Sequence, residues 1–279
     1  MSPAARVAWL TGRRAARQWM STRTVVALPL LLLAIPGSAW GLSDPNTTLP
    51  ADIPLDTPMQ MLFVSSLFVL LTATLSAVLY AWDGVSRDRA SGVLEVHLGR
   101  GMGRRGQATV IAASHLMVTT LPVLLLAMVA VFIIRIRTGA WASLGDSVVF
   151  LGSTALVVTW YTSIALLASS YARDQGTAIA FGVGVWFLFT MLWLLVTSVL
   201  AGLAGIEVGS TANAQWVQFE AVVDLLSPNG VYHHLLELRL DDVDRGLGPL
   251  PVLVAALAWT IVPLWCCLLY TSPSPRDRG

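Results

Sequence analysis

Lysine is absent from this 279-residue chain, and charged residues of every kind make up only 12% of it. A soluble domain carries about 25% charged residues, so too few are present here to cover a surface that faces water. A P-loop needs the lysine of its G-x-x-x-x-G-K-[ST] motif to reach the phosphates, so the absence of lysine also excludes ATP hydrolysis by that route. The sequence therefore predicts a membrane protein that is not itself a P-loop ATPase.

Metal-binding and disulfide patterns are scarce as well. Cys266 and Cys267 are adjacent, so they offer no disulfide framework, and no CxxC or HExxH pattern occurs. His233, His234 and Glu237 supply at most half of a di-metal motif. We interpret their segment as a solvated amphipathic helix. We expect no cofactor and no metal, and the net charge of +1 gives no indication of a nucleic-acid partner.

Hydrophobic residues, in contrast, make up 56% of the chain and are concentrated in long runs. The hydrocarbon core of a bilayer is spanned by about 20 apolar residues, and six runs approach or exceed that length. These runs are residues 24–40, 59–82, 107–134, 147–171, 177–206 and 249–269. A backbone exposed to lipid must satisfy its own hydrogen bonds, which favours helices. The predicted fold class is all-α, with a six-helix transmembrane domain over residues 24–269.

Residues 1–23 precede the first run and are predicted to form a cytoplasmic amphipathic helix. On a helical wheel, Arg6, Arg13 and Arg17 fall within about 40° of one another, beside an apolar arc. That pattern is typical of a helix lying in the headgroup layer with its arginines toward anionic lipid. Two alternatives are a disordered basic leader and a secretory signal peptide that includes the apolar run 25–35.

Arginine is distributed unevenly between the loops. With the N-terminus in the cytoplasm, the cytoplasmic segments carry eleven arginines and four acids, whereas the external segments carry four arginines and eleven acids. The cytoplasmic segments are 1–23, 83–106 and 172–176, and the external ones are 41–58, 135–146 and 205–248. Basic residues stay on the cytoplasmic side. We therefore expect a prokaryotic cell-membrane protein with both termini in the cytoplasm and a large external loop at 205–248.

Ionisable residues are almost missing from the predicted spans. Ion-coupled transporters bind protons or metal ions through such residues, and no Asp, Glu or Arg lies in the span cores. His115, near the start of the third run, is the one ionisable candidate, and we interpret it as a hydrogen-bonded packing residue.

The cytoplasmic segment 83–106 has charges at regular spacing, followed by glycines. Asp83, Arg87 and Glu95 are separated by four and eight residues, which predicts a helix over residues 83–98 that leaves the membrane and lies along its surface. The glycines then turn the chain. The plain alternative is a basic loop that only enforces the topology.

This segment resembles the permease subunits of type-2 ABC transporters, a family of six-span exporter subunits. In that family the second span ends in a sequence like D-x-x-x-x-E-R-x-x-G-T-L, followed by an apolar run and a P-x-S-R turn. The residues that match without a gap are Asp83, Asp88, Arg89, Gly92, Val93, Leu94 and, in the turn, Arg104. Gly101 replaces the proline of that turn, and Ile111 replaces a later lysine. A looser match, SPNGVY at 227–232, precedes the last run.

The resemblance implies a role and partners. In such transporters the elements near the second and third spans dock into a separate ATPase subunit, and two permease copies, or one copy and a homologue, work with two ATPases. The coupling residues implied here are Asp83, Arg87, Asp88, Arg89, Gly92, Glu95 and Arg104. Asp88 and Arg89 are expected to make charge-assisted contacts with the ATPase, and Gly92 to permit close backbone approach. The cargo of the family ranges from ions to lipids, peptides and drugs, so no particular substrate is implied.

Two other function classes stay open. A membrane enzyme is suggested by Asp83 and Gly84, which match the start of the DG-x-x-A-R signature of phospholipid-headgroup transferases, but Arg87 and Asp88 stand where that motif needs Ala-Arg. A structural membrane anchor without transport activity is excluded by no residue.

The last residues, 267–279, are predicted to be a non-native tail. The string CLLYTSPSPRD at 267–277 is the translation, in one frame, of a transposase-type sequencing adapter. The chain is then expected to be truncated near Cys266, within its sixth span. The alternative is a short natural tail rich in Ser, Pro and Arg.

Overall fold

The computed structural model describes residues 2–50, 53–92, 103–209, 213–240 and 245–270. Within these ranges the chain forms helices and turns and no strand, which confirms the all-α prediction. Residues 93–102, which include Glu95, and the tail from residue 271 onward lie outside the described residues.

Six helices among the described residues are long and apolar enough to cross a membrane. They are α2 (Thr22–Leu42), α3 (Pro58–Ala81), α5 (Arg104–Thr138), α6 (Leu144–Tyr171), α7 with α8 (Gln175–Phe187 and Trp193–Leu203) and α11 (Pro249–Tyr270). A π-helical turn, Leu188–Leu192, joins α7 to α8. Each of the six predicted runs corresponds to one of these helices, so the six-span prediction is confirmed.

Four shorter helices complete the fold. They are α1 (Pro3–Trp19), α4 (Ser86–Ala90), α9 (Ala214–Asp224) and α10 (Pro228–Glu237). Helix α1 begins where Ser2 accepts a hydrogen bond from the Ala5 amide and Pro3 occupies the first turn. Thr11 and Ala15 are buried against the bundle, whereas Trp9 is half exposed.

Helix α6 forms the centre of the bundle. Phe150, Trp160 and Tyr161 are fully buried on it, and it packs against α3, α5, α7, α10 and α11. Indole donors join neighbouring spans: Trp160 Nε1 donates to Thr260 Oγ1 at 2.8 Å, and Trp186 Nε1 donates to Thr74 Oγ1 at 2.9 Å. Such bonds hold helices together where packing gains little from the hydrophobic effect, because lipid is as apolar as the core.

The connection between α3 and α5 differs from the single helix predicted over residues 83–98. Helix α3 ends at Ala81, the chain turns, and α4 spans only Ser86–Ala90 before Gly92 takes a left-handed backbone angle of φ 68°. The prediction of a continuous helix is therefore wrong in its described part. The turn is stabilised by Ser169 Oγ, which accepts hydrogen bonds from the amides of Val85 and Ser86 at 3.1 and 3.0 Å.

The two faces of the bundle are named by the helices that mark them. The α1 face carries α1, residues 82–92, the start of α5 and the turn after Tyr171. The α10 face, at the other ends of the spans, carries α9 and α10. Helix α10 is buried over almost its whole length, so the expectation of a solvated helix there is wrong. Its polar side chains bond to one another and to neighbouring elements, and these bonds remove most of the cost of burying them.

Candidate functional site

The α1 face holds those predicted coupling residues that the structure describes, and Asp83 is the most extensively bonded of them. The carboxylate of Asp83 is 6% exposed and receives two hydrogen bonds from Arg23, Nη1 to Oδ1 at 2.8 Å and Nη2 to Oδ2 at 2.5 Å. This is the bidentate arrangement that suits a guanidinium and a carboxylate. Arg23 also lies over the ring of Trp82, with 5.2 Å between its guanidinium carbon and the ring centroid, which is within cation–π range. The start of α2 is thereby attached to the end of α3.

The carboxylate of Asp88 is also bound by another side chain of the same protein. This carboxylate, largely buried on α4, accepts a hydrogen bond from Arg14 Nη1 of α1 at 2.5 Å. Arg14 Nη2 donates to the carbonyl of Gly84 at 3.0 Å, so one guanidinium binds both α4 and the turn before it. Arg14 covers the carboxylate within the chain, and the expected contact of Asp88 with an ATPase stays a prediction.

Arg89 and Ser169 attach the same segment to the end of α6. Arg89 Nη2 donates to the carbonyl of Ser170 at 3.1 Å, and Ser169 holds the two amides described above. Arg87, in contrast, has a side chain 68% exposed and lies 3.8 Å from Asp83. Arg89 is exposed as well but is bonded to Ser170, so Arg87 is the exposed arginine of the segment with the weaker attachment to the chain.

Within the described part of this face the close backbone approach is at Gly84, whereas the approach of Gly92 to an ATPase stays a prediction. A Cβ at Gly84 would lie 2.6 Å from Leu166 Cδ2 and 2.8 Å from the ring of His115. A Cβ at Gly92 would meet no described atom within 4 Å, and glycine suits that position because its φ is positive. Arg104 begins α5, and its side chain lies outside the described atoms.

His115 closes the inner side of this cluster and is the hydrogen-bonded packing residue that the sequence indicated. Its Nδ1 lies 2.8 Å from the Ile111 carbonyl, which only accepts, so Nδ1 carries the proton. Nε2 is then an acceptor for the Gln18 amide at 3.0 Å. The sequence analysis missed four residues of this site: Arg14, Gln18, Arg23 and Ser169. They lie 56 to 97 positions along the chain from their partners, and only the fold brings them together.

The α10 face has a second polar network, centred on Asn229 of the SPNGVY match. Tyr161 donates to Asn229 Oδ1 at 2.6 Å, and Asn229 Nδ2 donates to the Phe189 carbonyl at 3.0 Å. That carbonyl belongs to the π-helical turn, where the regular i to i+4 bonding is interrupted. Ser227 caps α10 by accepting from the amides of Asn229 and Gly230. The motif therefore has a structural explanation in this chain.

Charged groups lie at the rim of the same network. Asp224 accepts from Trp193 Nε1 at 3.0 Å, and burial raises the pKa of Asp224 above its usual value. Burial also acts to raise the pKa of Glu237, but the hydrogen bond with His234 and the charge of Arg245, 2.8 Å away, outweigh it and hold that pKa below its usual value. No group of three or more metal-ligating side chains that could hold an ion occurs in the described part of the chain.

Six membrane-crossing helices, with buried polar networks at both faces, define a multi-pass helical membrane protein. Comparison with known families makes the class specific. The family model described as an ABC-2 family transporter protein matches residues 15–271, so the chain belongs to that family and is the membrane component of a transporter. No curated protein matches the chain. The match confirms the resemblance inferred from residues 83–104.

Proposed function

We propose that this chain is the transmembrane subunit of an ATP-driven exporter, that it forms the translocation path, and that a separate ATPase subunit docks on its α1 face. The observation that carries the proposal is the attachment of residues 82–92 to three other elements. Arg14 joins them to α1, Arg23 joins them to α2, and Arg89 with Ser169 joins them to the end of α6.

These contacts give the segment a mechanical role. Each of them is charged or buried, and hydrogen bonds to charged groups contribute about 1.5–3 kcal/mol each. A force applied at α4 is therefore passed to α1, α2 and α6 together instead of bending a flexible loop. Helix α6 packs against most other spans, so its displacement reaches the whole bundle. Arg87 is exposed beside the segment and is assigned to direct contact with the ATPase.

The placement in the membrane follows from the arginine distribution. Eleven arginines on the α1 side against four on the α10 side support a cytoplasmic α1 face with both termini in the cytoplasm, in the membrane of a prokaryotic cell. Helix α1 then lies in the cytoplasmic headgroup layer, where an ATPase can reach α4. Cysteine labelling checks this topology: a cysteine at position 52 or 242 should react from outside, and one at Gly103 only after permeabilisation.

A second permease copy, or a homologue, completes the transporter. The helix formed by α7 and α8 buries few of its side chains within the chain, and large apolar side chains remain exposed along it. Those exposed residues include Phe181, Phe187, Met191, Leu194, Leu195 and Val199. Two copies with two ATPases are the assembly that the family implies.

Co-purification tests the ATPase partner. The tagged chain is isolated in mild detergent from membranes of the host cell, and bound protein is assayed for ATP hydrolysis with Mg-ATP and identified by mass spectrometry. We expect an ATPase to co-purify with the wild-type chain and to be lost from Arg87→Glu. Arg173→Glu is the matched control, since Arg173 is exposed near the same face after α6. Wild-type chain without any ATPase would favour the alternatives of a membrane enzyme or a structural anchor.

A further inference from the structure

A polar cavity of about 650 Å³ lies on the α1 face between α1, residues 80–91 and the start of α5. Five arginines and two aspartates are among its lining residues. Both aspartates are paired: Asp83 with Arg23, and Asp88 with Arg14. The excess of arginine leaves the cavity cationic, which favours an anionic ligand.

Several polar atoms on the wall of this cavity have no partner. Arg14 Nε, Gln18 Oε1 and Ser21 Oγ are buried without a hydrogen bond, although buried polar atoms are nearly always satisfied. Arg17 is exposed and makes no hydrogen bond or ion pair with any residue that the structure describes. Two of these groups, Arg14 Nε and Ser21 Oγ, are donors, and Arg17 adds a full charge. This combination suits a phosphate group.

An apolar cavity of about 390 Å³ lies next to the polar one. It lies between α2, α3 and α5, and its lining includes Trp19, Leu28, Leu31, Ala77 and Val118. Tyr80 lines both cavities, so the cationic cavity and the apolar cavity are neighbours on either side of this residue.

The apolar cavity also has a side that faces lipid. Trp19, Thr24 and Leu28 belong both to it and to a shallower groove that includes Met20 and Val25. Met20 is 84% exposed and Val25 is 73% exposed, on a helix that crosses the membrane or directly before it. A molecule can therefore enter sideways from the bilayer, with its polar end at the depth of α1.

We propose that the two cavities together bind one anionic phospholipid of the leaflet on the α1 side. Its phosphate lies against Arg17, Arg14 Nε and Ser21, and one acyl chain fills the apolar cavity between α2 and α5. A zwitterionic lipid brings a cation that the surplus arginines repel, so the site selects anionic headgroups. The inference does not depend on the ATPase partner, because it uses only the bundle and its position in a membrane.

Native mass spectrometry of the purified chain in detergent tests the site. The probes are dioleoyl phosphatidylglycerol and dioleoyl phosphatidylcholine, offered in equal amounts. We expect the wild-type chain to retain phosphatidylglycerol preferentially. Arg17→Gln should lower that retention by about tenfold, the loss expected for one charge-assisted hydrogen bond. Arg173→Gln, which removes an equally exposed arginine away from the cavity, should leave retention unchanged.

A second variant and a competition experiment complete the test. Ser21→Ala removes a hydroxyl that makes no hydrogen bond in the chain, so it should weaken lipid retention without affecting folding. Free glycerol 3-phosphate, added in excess, should not displace the lipid, because it lacks the acyl chain. Equal retention of the two lipids, equal losses in the Arg17 and Arg173 variants, or displacement by glycerol phosphate would each overturn the proposal.

Discussion

Both faces of the bundle are held by buried polar groups, but they differ in the free space around those groups. On the α1 face, ion pairs join elements far apart in the chain: Arg14 and Asp88 are 74 positions apart, and Arg23 and Asp83 are 60 positions apart. They surround a cavity of about 650 Å³. On the α10 face, hydrogen bonds of Asn229 and close contacts of Gly230 join α10 to its neighbours, and ion pairs of Arg245 lie at the rim, beside a cavity of about 220 Å³.

The difference indicates how each face responds to force. Ion pairs beside a water-accessible cavity can re-form after a displacement, because long arginine side chains follow a moving carboxylate. A backbone contact without space, such as the one at Gly230, tolerates no displacement. We infer that the α1 face receives motion and that the α10 face holds the outer ends of the spans together. The variants below test this difference between the two faces, in order of decreasing expected loss of stability.

Gly230→Ala should be the most destabilising change. Its Cβ would lie 2.3 Å from the Asp224 carbonyl oxygen and 2.6 Å from Asp224 Cβ, and the backbone there cannot move aside. Overpacking of this kind costs about 3 kcal/mol. Thermal unfolding in detergent measures the loss, and Gly152→Ala is the control, because a Cβ there meets no described atom within 4 Å. Equal stability of the two variants would show that α10 is not rigidly packed.

Asp88→Arg should come next. It removes the partner of Arg14 and places two cations together, at a partly buried site where breaking a pair costs about 2–3 kcal/mol after discounting for solvent. The double variant Arg14→Asp with Asp88→Arg restores opposite charges and should recover most of the lost stability. Thermal unfolding of the wild type, both single variants and the double variant measures the coupling. Additive effects would mean that the pair contributes nothing as a pair.

Gly84→Ala should cost less than Gly230→Ala, although the distances are similarly short. The atoms that a Cβ would meet belong to the side chains of Leu166 and His115, which can shift, so about 1–2 kcal/mol is expected. The comparison of the two glycine variants by thermal unfolding tests whether the α1 face yields more easily. A larger loss at Gly84 than at Gly230 would reverse the proposed contrast.

Asp224→Asn should produce the smallest effect, and one that depends on pH. Burial raises the pKa of Asp224 above its usual 3.8, so the wild type loses stability as the pH rises from that value through the raised pKa. In the variant, the amide oxygen of Asn still accepts the hydrogen bond from Trp193. Arg245 and His234 still face this side chain, but its negative charge is removed. The variant should therefore gain stability relative to the wild type as the pH rises through this window.

Glu237→Gln should show the opposite dependence of stability on pH. The pKa of Glu237 is lowered, so its carboxylate stabilises the protein above the usual value of 4.5 and that contribution is lost as the pH falls through the lowered pKa. This variant should be less stable than the wild type at neutral pH, with the difference closing in acid. Thermal unfolding between about pH 3 and 7 separates the two carboxylates, since each group's contribution changes across its own pKa window. Parallel curves for both variants would contradict the assigned pKa directions.

Hydropathy and periodicity were enough to predict the helices but not their packing. The six spans follow from apolar runs, and α1 follows from the spacing of Arg6, Arg13 and Arg17. The same reasoning was wrong for α4 and α10. Both depend on partners elsewhere in the chain: Ser169 bends the chain before α4, and Ala221 and Arg245 satisfy the polar side chains of α10.

The coupling role of the candidate site stays a prediction, but the structure adds contacts within the chain that the sequence did not indicate. Residues 83–92 were singled out from spacing and resemblance, whereas the arginines that bind them were counted only as topology signals. Asp88 looked like an exposed contact because no local pattern reveals Arg14, 74 residues earlier. Long-range pairing of this kind is invisible to a window of sequence.

The most direct test of the central claim measures whether the Arg14–Asp88 pair carries ATP-driven motion. Nitroxides are attached at positions 144 and 203, two exposed sites on α6 and α8 at the α10 face, in a background with Cys266 and Cys267 replaced by alanine. Pulsed EPR then measures their separation in the complex with the ATPase, with and without ATP. We expect ATP to shift the distance in the wild type, Asp88→Arg to abolish the shift, and the Arg14→Asp, Asp88→Arg double variant to restore it. An undiminished shift in Asp88→Arg would contradict the account.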